Sequence, residues 1–160
     1  MRAPIVTASL LHAPREEVWA AIATFAGIND EFRPLFRMTA PGRVRREGLA
    51  AVEVGQRVCR SWVLLFGVLP VDYDDITLAR LDPPNGFLER SAMLSQRAWE
   101  HERTLEADGE HCRLTDRIRY EPRLPVPDAL LRRLYRFVFR HRHRRLRRRF
   151  GGHSLEHPSP

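Results

Sequence analysis

The sequence predicts a single α+β domain in which a curved antiparallel sheet of about seven strands closes over one long C-terminal helix, with two short helices after the first strand. Three observations carry this. A chain of 160 residues suits one buried core rather than two. Between residues 37 and 121, β-branched and aromatic runs alternate with turn signals. Beyond a proline-rich connector, residues 128–149 contain neither Gly nor Pro and end at Gly151-Gly152.

Residues 4–11 (PIVTASLL) read as the first strand. Pro14 suits a first helical turn, and Glu16 and Glu17 sit near its positive end. Val18, Trp19, Ile22 and Phe25 recur at helical spacing, which predicts a helix over 14–25 stopped by Gly27. A second short helix is expected over Asn29–Phe36, limited by Pro34. Six strands then fit between the turn signals Pro41-Gly42, Gly48, Gly55, Gly67, Asp82–Gly86 and Asp108-Gly109. Pro122, Pro125 and Pro127 stiffen the connector, and Asp128 can cap the final helix. Residues 1–150 are expected to form the domain and residues 151–160 a disordered tail.

One hairpin can be read in register. Asp108-Gly109 as the two central residues pairs Ala107 with Glu110, and therefore His101 with Asp116 and Trp99 with Ile118. One face then carries Trp99, His101, Asp116 and Ile118, and the other carries complementary charges such as Glu100 and Arg117.

No apolar run is long enough to span a bilayer, and Met1–Val6 is too short and mixed for a signal peptide, so a cytoplasmic location is expected. In that compartment Cys59 and Cys112 are expected to be reduced strand residues. All 27 basic residues under Lys+Arg are arginine, a bias that fits a GC-rich genome better than selection for guanidinium chemistry. The net charge of +7 is local, because Arg132–Arg149 carries ten arginines and no acid.

The segment Pro83-Pro84-Asn85-Gly86-Phe87-Leu88-Glu89, the later Trp99-Glu100-His101, and Leu114-Thr115-Asp116-Arg117-Ile118-Arg119-Tyr120 resemble a bacterial branch of the START-like (SRPBCC) superfamily, the birch-pollen-allergen fold. Phe139–Arg142 and Arg144-Arg145-Leu146 resemble its final helix, and the resemblance covers Ile5 to Phe150. It implies the helix-grip architecture and a cavity for an apolar small molecule between sheet and final helix. It also implies that Glu89 faces inward and that Ser91 faces or edges the cavity. Ser91 stands where the branch has glutamine, and Leu94-Ser95 replace its Gly-Pro, so ligand identity does not transfer. Members of the superfamily carry lipids, bind hormones or cyclise polyketides.

Within that frame, Trp62, Leu64, Phe66 and Tyr73 supply bulk on the central strands, as core or as cavity wall. Leu130, Leu134, Phe137, Val138 and His141 share one face of the last helix and would form a lid. Tyr135, Phe139, Leu146 and Phe150 lie on another side, which would meet the first helices or the partner subunit of a homodimer. His101 beside Asp116 has two readings: a general acid–base pair of a polyketide cyclase- or dehydratase-like enzyme, or a self-satisfied buried pair. No nucleophile or oxyanion-hole motif accompanies it. The arginine run Arg132–Arg149 is either a solvated face or a weak contact for an anionic surface, and without a recognition motif no specific nucleic acid is expected. His141 and His143 are two apart and lack ligand spacing, so neither a metal nor another cofactor is expected.

Overall fold

In the computed structural model, which describes residues 1–155, every strand pairs antiparallel and the chain forms one eight-stranded sheet. The elements in chain order are β1 (Ile5–Leu11), α1 (Arg15–Ile22), α2 (Phe25–Phe32), β2 (Phe36–Met38), α3 (Gly42–Glu47) and a 3-10 turn (Gly48–Ala51). They continue with β3 (Arg57–Leu65), β4 (Leu69–Asp82), β5 (Gly86–Met93), β6 (Gln96–Asp108), β7 (His111–Pro122), α4 (Asp128–Phe150) and β8 (Gly152–Ser154). The sheet order is β2-β3-β4-β5-β6-β7-β1-β8, and α4 lies against its inner face. This is the helix-grip arrangement, with one strand more than expected.

The extra strand comes from the expected tail. Gly152–Ser154 pair with Leu11–Ser9 of β1, and Leu155 donates to the Ala8 carbonyl, so the chain beyond α4 begins as a sheet edge. The rest of that tail, residues 156–160, lies outside the described residues. The early helices also differ from the reading. Thr24 accepts a hydrogen bond from Gly27 N–H at 3.0 Å and so caps the second helix at Phe25, inside the expected span of the first and four residues before the expected start at Asn29. Gly27 stops nothing; it lies inside α2, where a Cβ would meet the Ala21 carbonyl oxygen at 1.9 Å. The Pro41-Gly42 signal opens α3 rather than a turn between strands.

The β6–β7 hairpin is shifted by two residues from its expected register. Asp108 pairs with His111, so Gly109 and Glu110 are the central residues, with Gly109 at φ 61°. That turn asks positive φ of glycine alone, whereas Asp108-Gly109 would have required it of the aspartate too. Trp99 therefore faces Tyr120, His101 faces Ile118, and Arg103 faces Asp116. A shift of two preserves the faces, so Trp99, His101, Asp116 and Ile118 all remain inward and buried.

The interior is layered along the strands. One apolar cluster joins Leu11, Val18, Ile22, Leu105, Leu114 and Leu146. A second joins Ile5, Trp99, Ile118, Tyr120, Leu131 and Phe139. Between them, at intermediate positions of β1, β6, β7 and α4, runs a polar belt of buried Thr7, Ser9, His101, Arg103, Asp116, Arg142 and His143. Cys59 and Cys112 are both free and buried.

Candidate functional site

The belt is built around Arg103, which β6 directs inward and which is 1% exposed. Its guanidinium forks onto two carboxylates. Nε and Nη2 donate to Asp116 at 2.7 and 2.6 Å, and Nη1 and Nη2 donate to Glu31 at 2.8 and 2.9 Å. Arg142 of α4 donates to the same Glu31 at 2.9 Å while its guanidinium lies over the Phe32 ring. Burial works to raise both carboxyls, but Arg103, seconded by Arg142 at Glu31 and by His101 at Asp116, outweighs it. Glu31 is held below the usual carboxylate range and Asp116 well below it.

Asp116 is saturated. Besides Arg103 it receives His101 Nε2–H at 2.8 Å and His143 Nε2–H at 3.0 Å, so four hydrogen bonds fill its two oxygens. With Nε2 protonated, His143 Nδ1 accepts from the Ser9 hydroxyl at 2.9 Å, and Ser9 Oγ accepts from Arg147 at 2.7 Å. Asp116, His143 and Ser9 are thereby held by their partners.

Beside it lies a cavity of about 370 Å³ between sheet and α4. Its wall is mostly apolar: Phe25, Phe36, Ile76 and Phe87 from one side, Leu131 and Val138 of α4 from the other. Polar groups are confined to Asp72, Asp74, Glu89, Ser95, Gln96, His101, Arg103, Tyr135 and Arg142. Asp74 and Glu89 are neighbours in the wall. Burial first, and then the neighbouring Glu89 charge, push the Asp74 carboxyl well above the usual carboxylate range. Burial also works to raise Glu89, but His101, Asp74 and a 2.7 Å hydrogen bond from Ser91 Oγ outweigh it and leave Glu89 ionised. His101 Nδ1 stands 3.7 Å from Glu89, too long for a hydrogen bond. Two wall residues carry a buried oxygen with no protein partner among the described residues: Asp74 Oδ1 and Gln96 Oε1.

The expected site residues divide accordingly. Glu89, Trp99, His101, Leu134 and Val138 line the cavity. Ser91 is buried one hydrogen bond behind Glu89. Asp116 and Ile118 are buried beneath the wall, not in it. Trp62 and Tyr73 are on the outer face, ring to ring at 5.7 Å with Arg60 over Tyr73. Cys59, Ser61 and Asp74 take the inward positions of β3 and β4 instead. Leu64 lies off the wall next to a bulge between Val63 and Leu64, and Phe66 is exposed at the hairpin tip with φ 51°. Phe137 and His141 point away from the cavity, His141 donating to the Arg33 carbonyl at 2.8 Å. Asp74, Gln96, Arg103 and the belt residues Glu31, Arg142 and His143 were missed. Asp74 was findable, since it is in phase with Ile76 and Leu78, as a strand face requires.

Comparisons with known proteins agree on the fold. A family described as a domain of unknown function, DUF8410, matches residues 9–150. No curated protein matches the sequence. The crystal structure of protein CV1439 from Chromobacterium violaceum superimposes with TM-score 0.72 at 14% identity, covering 94% of this chain and 99% of that one. A START superfamily protein from Mycobacterium smegmatis does so with TM-score 0.66 at 11% identity, covering 92% and 96%. DynU16, from the dynemicin biosynthetic locus, gives 0.60 at 17% identity, covering 94% of this chain and 49% of its own length. The fold is that of the START-like superfamily.

Proposed function

We propose that this chain, which belongs to the DUF8410 family, binds a small molecule with an apolar body and a hydrogen-bond-donating group, held between the sheet and α4. The observation that carries this is the pairing of a mostly apolar cavity with two unpartnered acceptors, Asp74 Oδ1 and Gln96 Oε1. Its volume of about 370 Å³ falls in the range of small-molecule sites, about 300–1,000 Å³. A buried acceptor without a donor costs about 1–3 kcal/mol. A guest hydroxyl or amine would recover that cost, and a hydrocarbon would not.

Nile red, a neutral apolar dye, tests the apolar part, and native mass spectrometry tests for a copurifying guest. Ile76→Trp, which fills the wall, is expected to weaken Nile red at least tenfold without lowering thermal stability. Unchanged affinity would refute the assignment. The donor part is tested by phenanthrol against phenanthrene. The alcohol is expected to bind more tightly, and Gln96→Leu to reduce its advantage.

A second reading, cyclase- or dehydratase-like chemistry, is favoured by one observation. Burial and the neighbouring Glu89 push the Asp74 carboxyl well up at the cavity wall, while His101 and Asp74 hold Glu89 down, so two adjacent carboxyls are driven apart in the directions of an acid and a base. Such chemistry would use Asp74 and Glu89 rather than the expected His101 and Asp116, because Asp116 has no lone pair left to act as a base. Turnover surviving Asp74→Asn and Glu89→Gln but lost in Asp116→Asn with intact folding would reverse that assignment.

A further inference from the structure

The arginine run is not one feature. Arg142, Arg145 and Arg147 are spent inside the fold on Glu31, Asp30 and Ser9, and Arg132 bonds the Ala3 carbonyl. Arg133, Arg136 and Arg144 are exposed, and with Arg140 they line a groove on the outer side of α4. Phe137 lies in the same groove and is 56% exposed. At 100° per residue, Leu130, Phe137 and Leu134 form an apolar stripe next to the basic one. This half of the helix therefore has a second amphipathic face, turned away from the core.

The β3–β4 hairpin tip extends that apolar surface. Phe66, Val68 and Leu69 are exposed there, Val68 by 79%. The two regions are joined through the segment after α2: Phe66 N–H donates to the Leu35 carbonyl, and His141 in the basic groove donates to the Arg33 carbonyl. Val71 and Leu134 belong to both surfaces, being exposed and also part of the cavity wall. The cavity rim is thus apolar and flanked by guanidinium groups.

We propose that this rim is a docking face for an anionic lipid bilayer, with the hairpin tip and Leu130, Leu134 and Phe137 entering the interface and Arg133, Arg136 and Arg144 meeting lipid phosphates. A nucleic acid would use the arginines and stack a base on Phe137, but it has no use for the exposed aliphatic Val68 and Leu69 of the hairpin tip. A second copy of the chain would set like charges against one another across a two-fold axis. A bilayer satisfies both stripes. The docking claim stands independently of the ligand reading; that guests pass between bilayer and cavity through Val71 and Leu134 rests on it.

The test is sedimentation of the full chain with vesicles of phosphatidylcholine alone and of phosphatidylcholine with phosphatidylglycerol, at low and high salt. Binding is expected only to the anionic vesicles and weakened by salt. Arg133→Gln/Arg136→Gln/Arg144→Gln is expected to lower vesicle affinity roughly 100-fold, as for three charges near an anionic surface. Val68→Asp and Phe137→Glu, at positions exposed in the fold, are expected to abolish sedimentation even at low salt. Equal binding to neutral vesicles would overturn the proposal. So would wild-type vesicle binding by Val68→Asp and Phe137→Glu, or a duplex oligonucleotide binding wild type and these variants alike. Nile red affinity, measured alongside, separates failure of docking from failure of the cavity reading.

Discussion

Replacing Arg103 by methionine tests whether the charged belt holds the sheet to the helices. Methionine keeps much of the side-chain volume, so the change is chiefly the loss of four hydrogen bonds to two carboxylates that are 2% and 0% exposed. Glu31 would keep Arg142, and Asp116 would keep His101 and His143. Removing one partner from a buried pair costs about 3–5 kcal/mol. Against a total stability of about 5–15 kcal/mol for a domain, that is a large fraction. With a urea dependence of about 2 kcal/mol per molar, the unfolding midpoint should fall by about 2 M. The deficit should also depend on pH. Because the folded pKa values of Asp116 and Glu31 lie below their unfolded values, their contribution is present above the usual carboxylate range and is lost as pH falls through the folded values. The gap between wild type and Arg103→Met should therefore narrow in acid. A midpoint shift below about 0.5 M at neutral pH would refute the argument. A deficit equal at every pH would show that shape rather than charge was lost.

Asp74→Asn should behave oppositely. Its folded pKa is raised, so the native aspartate costs stability as pH rises from the unfolded to the folded value; the variant should gain on wild type by up to about 1.4 kcal/mol per pH unit there and nothing below it, as urea titrations across pH would show. Tyr120→Phe removes the 2.8 Å hydrogen bond to Asp128 at the start of α4 and should cost about 1 kcal/mol in urea melts. In wild type, burial and then Asp128 push that phenol up to about 12, so ultraviolet absorbance should show it ionising after an ordinary tyrosine. Gly86→Ala should lower the thermal midpoint more than either of these changes, because φ is 142° and the new Cβ would lie 2.0 Å from the Arg103 carbonyl oxygen.

What was legible in the sequence follows from periodicity. Strand faces in β6 and β7 survived a wrong register because an even slip leaves every side chain on its side of the sheet. The face of β4 was misread because both phases carry bulk: Leu69, Val71 and Tyr73 in one, Ile76 and Leu78 in the other. The irregular β3–β4 pairing lets Val71 and Ile76 line one cavity despite opposite phases. Buried charges were the hardest to see, since a run of arginines reads as a solvated face. Helical phase carried part of the answer: Phe139, Arg142 and Leu146 are three and four apart and all are buried, whereas Arg140 and Arg144 fall on the exposed side. The carboxylate that receives Arg142, Glu31, sits in a short helix far away in sequence, and nothing local marks it as buried.

The same division bears on how a guest would enter. The C-terminal half of α4 is tied down by charge: Arg142 to Glu31, His143 to Asp116, Arg145 to Asp30 and Arg147 to Ser9, with β8 anchored to β1 just beyond. The N-terminal half supplies the cavity wall through Leu131, Leu134, Tyr135 and Val138, and its polar ties include the Tyr120–Asp128 bond and Arg132 on the Ala3 carbonyl. Side chains that border a cavity forgo dispersion contacts on that side, so this half is held less tightly for its length. Lifting it exposes apolar wall and breaks hydrogen bonds worth about 0.5–1.5 kcal/mol each. Lifting the other half would separate the buried Arg142–Glu31 pair, at about 3–5 kcal/mol where a charge is left without its partner. Arg142 is the boundary, since it both lines the cavity and binds Glu31. The cheaper opening is therefore N-terminal to it, on the side where Leu134 already reaches the surface.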